Sequence, residues 1–274
     1  MLLNTSCVTH QTVKTIASKK HYIEVNGIKM YYEIHGHGEP ILLIHGGSTS
    51  GESYYKQVPA LSHFFQVILP DSRAHGRTTD SDKPLSYELM AMDFVKLLKK
   101  LKIKKASIVG WSDGGVIGLY LAIHHPELVN KLVTFGANFD VNGITEEFKK
   151  AIETSHPKDH PAFLRERYEQ ISPEGPAYWP IFYYKLKKMW LNSPHFTIDQ
   201  LKSIQAPTLI LVGDHDIVKL EHTMALFRSI PNSQLCIVPG STHLVPLEKP
   251  QLVNEMVLNF LQNSTNQAVH LPKN

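Results

Sequence analysis

The chain is poor in the features that would commit it early to a class. Only two of its 274 residues are cysteine, Cys7 and Cys236. They are far apart and lack the clustered spacing of a disulfide framework or a zinc site, so two free thiols are expected. No run approaches the ~18 apolar residues of a membrane span. Residues 1–11 have neither the basic start nor the apolar core of about seven residues that marks a secretory signal, so cytoplasmic residence without a membrane partner is expected. No block of like charge occurs, and 28 Lys and Arg against 25 Asp and Glu leave only +3, which speaks against a nucleic-acid partner. The basic clusters 99–105 and 185–188 alternate with apolar residues at helical spacing and read as solvated helix faces. None of the 16 histidines shows a ligand spacing such as H-E-x-x-H, so neither metal nor organic cofactor is expected. A small-molecule substrate and a monomer or homodimer are the remaining expectations.

What the chain does carry is periodicity. Residues 22–25 and 28–34 alternate around Asn26-Gly27, a dipeptide suited to the positive φ angles of a tight hairpin. Short apolar runs without alternation follow at 41–44, 66–69, 107–109, 132–135, 208–212 and 235–238, as in strands buried on both faces. Between them, 87–101, 114–124, 220–230 and 251–261 are amphipathic at helical period. Strand alternating with helix predicts a mostly parallel, doubly wound α/β sheet opened by an antiparallel hairpin, with helices on both faces. The alternation stops over 138–202, where helix-like pieces are broken by prolines and loaded with aromatics such as Phe163, Tyr168, Trp179, Tyr183 and Trp190. This stretch reads as a helical cap over a pocket, with most of its rings packing helix on helix. The organisation is thus a polar leader 1–20, a core of 21–137 and 203–262, a cap insertion 138–202 and a tail 263–274.

The chemistry concentrates in Gly110-Trp111-Ser112-Asp113-Gly114, a G-x-S-x-G sequence between a predicted strand and a predicted helix. A serine there protrudes from a sharp turn at a helix N-terminus, which favours developing negative charge. The alcohol needs a base. His243 is placed for it, in a loop directly after the last strand. The acid orienting the imidazole should follow the preceding strand; Asp216 is favoured there, with Asp214, suited to capping the turn, and Asp140, after an earlier strand, as rivals. Backbone N–H groups of Asp113 and Gly47 are the candidate oxyanion donors, although His45-Gly46-Gly47 also serves as a plain tight turn. Trp111 and Trp179 are candidate substrate contacts.

With these motifs in view, residues 22–261 resemble the α/β-hydrolase family. His45-Gly46-Gly47, the elbow, Gly213-Asp214-His215-Asp216 and Gly240-Ser241-Thr242-His243 all match. Asp71-Ser72-Arg73-Ala74-His75-Gly76-Arg77 is similar to the family's D-x-R-G-x-G-x-S segment, with Ala74 in place of the first glycine. The elbow and Phe135-Gly136-Ala137-Asn138 are similar to the valacyclovir-hydrolase-like, or biphenyl-hydrolase-like, branch. The resemblance implies a serine hydrolase acting on a small carboxylic ester, thioester or activated amide through an acyl-enzyme. In that branch the acidic residue after the nucleophile holds a substrate α-amino group, which carries over to Asp113; capping of the following helix is the competing role. C–C bond hydrolysis of a dienoate-type diketone, or ligand binding that retains the triad, are the alternatives. Epoxide and haloalkane hydrolysis fit poorly, because those relatives have Asp where Ser112 stands.

Overall fold

The computed structural model describes residues 19–263. Most of the expected leader, including residues 1–11 and Cys7, and tail residues 264–274 lie outside them.

The hairpin opens the sheet as expected. Strand β1, Lys19–Val25, runs antiparallel to β2, Ile28–His35, and Val25 faces Ile28 across the turn. Asn26 and Gly27 both take positive φ, 46° and 79°, the pair a two-residue hairpin turn demands. β1 begins two residues inside the predicted leader. Lys19 and Lys20 pair with Ile34 and Glu33 through backbone bonds, which ask nothing of side-chain polarity.

The remaining strands are β3 Pro40–Ile44, β4 Gln66–Pro70, β5 Ala106–Trp111, β6 Val129–Phe135, β7 Thr208–His215 and β8 Ser233–Thr242. They form one sheet in the order β1-β2-β4-β3-β5-β6-β7-β8, parallel from β4 onward. Apolar residues fill both faces, yet the period of two survives in which core each side chain enters. Leu42, Ile44, Ile108, Leu132 and Ile210 join one buried cluster, while Ile41, Leu43, Val109, Val133 and Leu209 join the other. Helices α1 Val58–Leu61, α2 Tyr87–Lys100 and α3 Asp113–His124 are followed by α4 Glu146–Thr154, α5 Ala162–Ile171, α6 Trp179–Asn192 and α7 Ile198–Lys202. The last three are α8 Leu220–Ser229, α9 Val245–Glu248 and α10 Pro250–Gln262. α2, α3 and α8 pack with the first cluster, α1 and α10 with the second.

α4 to α7 all lie between β6 and β7, within residues 138–202, the stretch expected to be an insertion. Its ends are tied together: Asp140 bridges His195, Val141 N–H donates to Pro194 O, and Phe196 N–H donates to Phe139 O. Of the 185–188 cluster, Lys188 is exposed as expected, but Lys185 and Lys187 are not part of a freely solvated face. Lys185 Nζ reaches Asp80 Oδ2 at 2.5 Å and Ser81 O at 2.6 Å, and Lys187 Nζ reaches the carbonyls of Glu153 and Ser155. A long stem can cross an apolar helix face and deliver its charge to a buried carboxylate, which charge alternation in sequence does not reveal. Lys99, Lys100, Lys104 and Lys105 are exposed, as expected. Cys236 is free and partly buried.

Candidate active site

In an open parallel sheet, a crevice forms beyond the strand C-termini where the strand order reverses. Here β3 has β4 on one side and β5 on the other, so the crevice lies between the ends of β3 and β5. Those ends carry His45-Gly46-Gly47 and Ser112. Ser112 adopts φ 54° and ψ −117°, a strained setting for a residue with a Cβ. The turn closes because glycine flanks it. A Cβ on Gly110 would lie 2.2 Å from Gly114 O, and one on Gly114 would lie 1.9 Å from Ile44 O. Ser112 N–H donates to Phe135 O at 2.8 Å and locks the bend to β6.

β7 and β8 pair nearly to their ends, Gly213 opposite Val238 and His215 opposite Thr242, so the loops that follow emerge side by side. Asp216 and His243 stand in those loops, and His243 Nδ1 donates to Asp216 Oδ1 at 2.7 Å. Asp216 also accepts Val218 N–H at 3.0 Å; its carboxylate is fully buried, while the imidazole keeps 19% of its surface. Gly136, at φ 55°, makes room for the pair, since a Cβ there would come within 2.7 Å of His243 Nδ1 and 2.8 Å of Asp216 Oδ2. The rival acids are engaged elsewhere. Asp214 accepts from Ser241 N–H and His215 Nδ1, and the backbone donors of Gly240 and Ser241 hold its carboxyl well below the usual range. Asp140 pairs with His195 and the backbone of Asn142. No hydrogen bond joins Ser112 Oγ to the His243 ring among the described residues, although both side chains line one cavity.

Across the crevice, His45 is buried and neutral: burial pushes its imidazole pKa down. Its Nε2 accepts Ser72 N–H at 2.9 Å, so Nδ1 carries the proton and donates to Gly46 O at 2.7 Å. Thr49 Oγ1 donates to the same oxygen at 2.7 Å. Two donors on Gly46 O fix that peptide plane, and the Gly47 N–H on its opposite edge is thereby aimed. Neither Gly47 N–H nor Asp113 N–H, the first of α3, has an acceptor among the described residues.

Among the described residues the Asp113 carboxylate accepts from side chains and from no backbone N–H of α3. Its Oδ1 accepts from Tyr87 Oη at 2.8 Å, and Trp190 Nε1 lies 2.9 Å from Oδ2. Burial raises its pKa, and these two donors work against that rise.

Gly47, Trp111, Ser112, Asp113 and His243 line a cavity of about 690 Å³ completed by Phe148, His160, Phe163, Tyr183 and Trp190 of the insertion. A smaller cavity of about 220 Å³ beside Tyr31, Glu33 and Arg77 contains none of the sequence-predicted site residues. Of the two tryptophans expected at the substrate, Trp111 reaches the cavity but is only 4% exposed, and its Nε1 donates to His243 O at 2.9 Å. Trp179 is not there. It is 2% exposed, donates to Pro157 O and packs against Tyr168 and Phe182 in the interior of the insertion. Trp190, eleven residues and roughly three turns later on nearly the same face of α6, does line the cavity; position along the helix separates the two rings, and helical spacing does not read it. Tyr87 and His160 were likewise missed, because no motif marks them. Among the described residues, no group of His, Cys, Asp and Glu has the arrangement of a metal site, and no helix is long and apolar enough to cross a membrane.

Comparison with known proteins gives concordant matches. A family model described as alpha/beta hydrolase fold matches residues 39–170. A putative non-heme chloroperoxidase from Synechocystis sp. is 34% identical, over 86% of this chain and 95% of its own length. The serine hydrolase BPHL of Homo sapiens is 30% identical, over 88% of this chain and 85% of its own. Among solved structures, a meta-cleavage product hydrolase from Pseudomonas fluorescens (CumD) superposes with a TM-score of 0.75 at 25% identity, covering 90% of this chain and 97% of that one.

Proposed function

The chain belongs to the α/β-hydrolase family, and from that premise we propose that it is a serine hydrolase cleaving a small carboxylic ester, thioester or activated amide through an acyl-enzyme. The observation that carries the proposal is the 2.7 Å bond to a buried Asp216 from His243, which lines the same cavity as the strained Ser112. With Nδ1–H committed to Asp216, Nε2 is the ring nitrogen left to act as base. Ser112 Oγ attacks the carbonyl carbon and passes its proton to Nε2. The carbonyl oxygen becomes an oxyanion that accepts from Gly47 N–H and Asp113 N–H. On collapse, the imidazolium returns the proton to the departing oxygen, sulfur or nitrogen. Water, deprotonated by the same Nε2, then attacks the acyl-Ser112 ester; on collapse the imidazolium returns that proton to Ser112 Oγ and the acid is released.

A fluorophosphonate probe tests this directly. Wild type should be labelled at Ser112, and Ser112→Ala should lose both the label and ester turnover; a Ser112→Ala protein that still turns over esters at the wild-type rate removes the nucleophile from the scheme.

A C–C hydrolase reading draws on the meta-cleavage relative, but the electrostatics of this cavity favour the ester. Arg167, the arginine on its wall among the described residues, is paired with Glu52, which Arg77 also contacts. In its ionised form, favoured by the Tyr87 and Trp190 donors against the effect of burial, the Asp113 carboxylate repels an anionic dienoate and attracts a substrate ammonium. Asp113→Asn keeps the backbone donor and removes the charge. It should raise KM for amino-acid esters while leaving neutral esters within about twofold; equal effects on both would leave Asp113 without a role in amine recognition.

A further inference from the structure

Both backbone donors of the proposed oxyanion hole are braced by side chains from outside the core. Ser48, one residue after Gly47, holds φ 54°, where a residue with a side chain stays only if its surroundings keep it there. Its hydroxyl donates to Gly47 O at 2.7 Å and lies 2.8 Å from Nε2 of His160, on the loop before α5. His160 is itself seated against the rings of Trp179 and Tyr183, each with its centroid at 5.5 Å. On the other side, Trp190 of α6 donates to the carboxylate of Asp113, whose N–H is the second donor. The two braces meet: a Cβ on Gly47 would lie 2.4 Å from Asp113 Oδ2 and 2.5 Å from Trp190 Cζ2.

We propose that His160 and Trp190 are positioning residues of the oxyanion hole, so that the 138–202 insertion, and not the sheet alone, aims Gly47 N–H and Asp113 N–H. This rests on the serine-hydrolase reading above. Neither side chain touches the reacting atoms; His160 acts through Ser48, and Trp190 acts through Asp113 and the Gly47 backbone. An oxyanion donor works only when it is already aimed at the place where charge develops, and losing one outright costs on the order of 10²–10³ in kcat. A brace that loosens the aim without removing the donor should cost part of that, and the cost should fall on the transition state rather than on substrate binding.

The test uses the full chain with p-nitrophenyl acetate as substrate and a fluorophosphonate as probe. His160→Ala and Trp190→Phe should each lower kcat about tenfold, a fraction of the loss of a whole donor, with KM within about twofold of wild type. His160→Gln, whose amide N–H occupies the place of Nε2–H, should restore most of the rate. In a double-mutant cycle, Ser48→Ala combined with His160→Ala should be no slower than Ser48→Ala alone, because both remove one path. If His160→Ala fails to fold, Ser48→Ala and Trp190→Phe, which keep the packing of the insertion, carry the same readout. Wild type that turns over ester and labels at Ser112, alongside variants that keep kcat or lose only KM, overturns this proposal and leaves the hydrolase reading intact. Wild type that neither labels nor turns over overturns both.

Discussion

At the scale of single residues, position relative to the sheet decides chemistry more than residue type does. Three aspartates were open to partner His243, and all three are hydrogen-bonded, but each to a different group. Asp214 ties the 240–241 backbone to β7, Asp140 ties the two ends of the insertion, and Asp216 faces the imidazole. Asp216→Asn should lower kcat by roughly 10³–10⁴, the size of loss expected when a triad imidazole loses its orienting carboxylate, with KM little changed. Asp140→Asn should leave kcat near wild type; steady-state kinetics on one ester separates the two. Asp214 should matter for stability instead. Its carboxyl is held below the usual range by the Gly240 and Ser241 backbone donors, then by His215. Its contribution is therefore present at neutral pH and lost as pH falls below the ordinary carboxylate value toward its lower folded one. Asp214→Asn should flatten the acid side of a denaturation-versus-pH curve; unchanged curvature would mean the ladder there holds without the carboxylate.

At the scale of elements, α6 shows how the insertion is held. Its Lys185 meets Asp80, whose side chain is 1% exposed, and Tyr178 Oη donates to the same oxygen at 2.9 Å. Removing one member of a buried pair strands the other charge, at about 3–5 kcal/mol. With Tyr178 still in place, Lys185→Ala should fall toward the lower end of that range in urea unfolding. Adding Asp80→Asn should recover much of the loss, since the stranded charge is then gone. A double variant as unstable as Lys185→Ala would show that the lysine stem, rather than its charge, does the holding.

At the scale of the whole molecule, buried neutral histidines govern the acid limit. Burial pushes His75 down to about 3 and His222 down to about 4, and lowers His45 as well. His222 Nε2 accepts Phe139 N–H at 3.0 Å while the ring stacks on Phe139, so protonation would replace an acceptor with a donor. In each case the folded pKa lies below the unfolded value of about 6.5, so the unfolded chain takes up protons first. Stability from these groups is whole above pH about 6.5 and declines as pH drops toward 4. Calorimetry from pH 7 to pH 4.5 should show a falling Tm, and His222→Gln should reduce the slope. A Tm independent of pH across that interval would contradict the assignment of these rings as neutral and buried.

The sheet, its opening hairpin and the elbow were legible in the chain because their causes are local. Asn26-Gly27 supplies two positive φ angles, apolar runs at 41–44 and 208–212 leave no polar face, and Gly110 and Gly114 permit a bend that no larger residue fits. Ser112 and His243 could be singled out for the same reason, each lying next to the end of a recognisable strand. The partner of Lys185, the part of α6 that meets the cavity and the bracing of Gly47 by His160 and Trp190 depend on residues from nearly 80 to more than 140 positions apart in sequence. Nothing local encodes such contacts. They arise when the insertion, tied at Asp140 and His195, packs against the core, and only that packing selects Trp190 over Trp179 and adds the Trp190 N–H to the Tyr87 hydroxyl as a donor to Asp113.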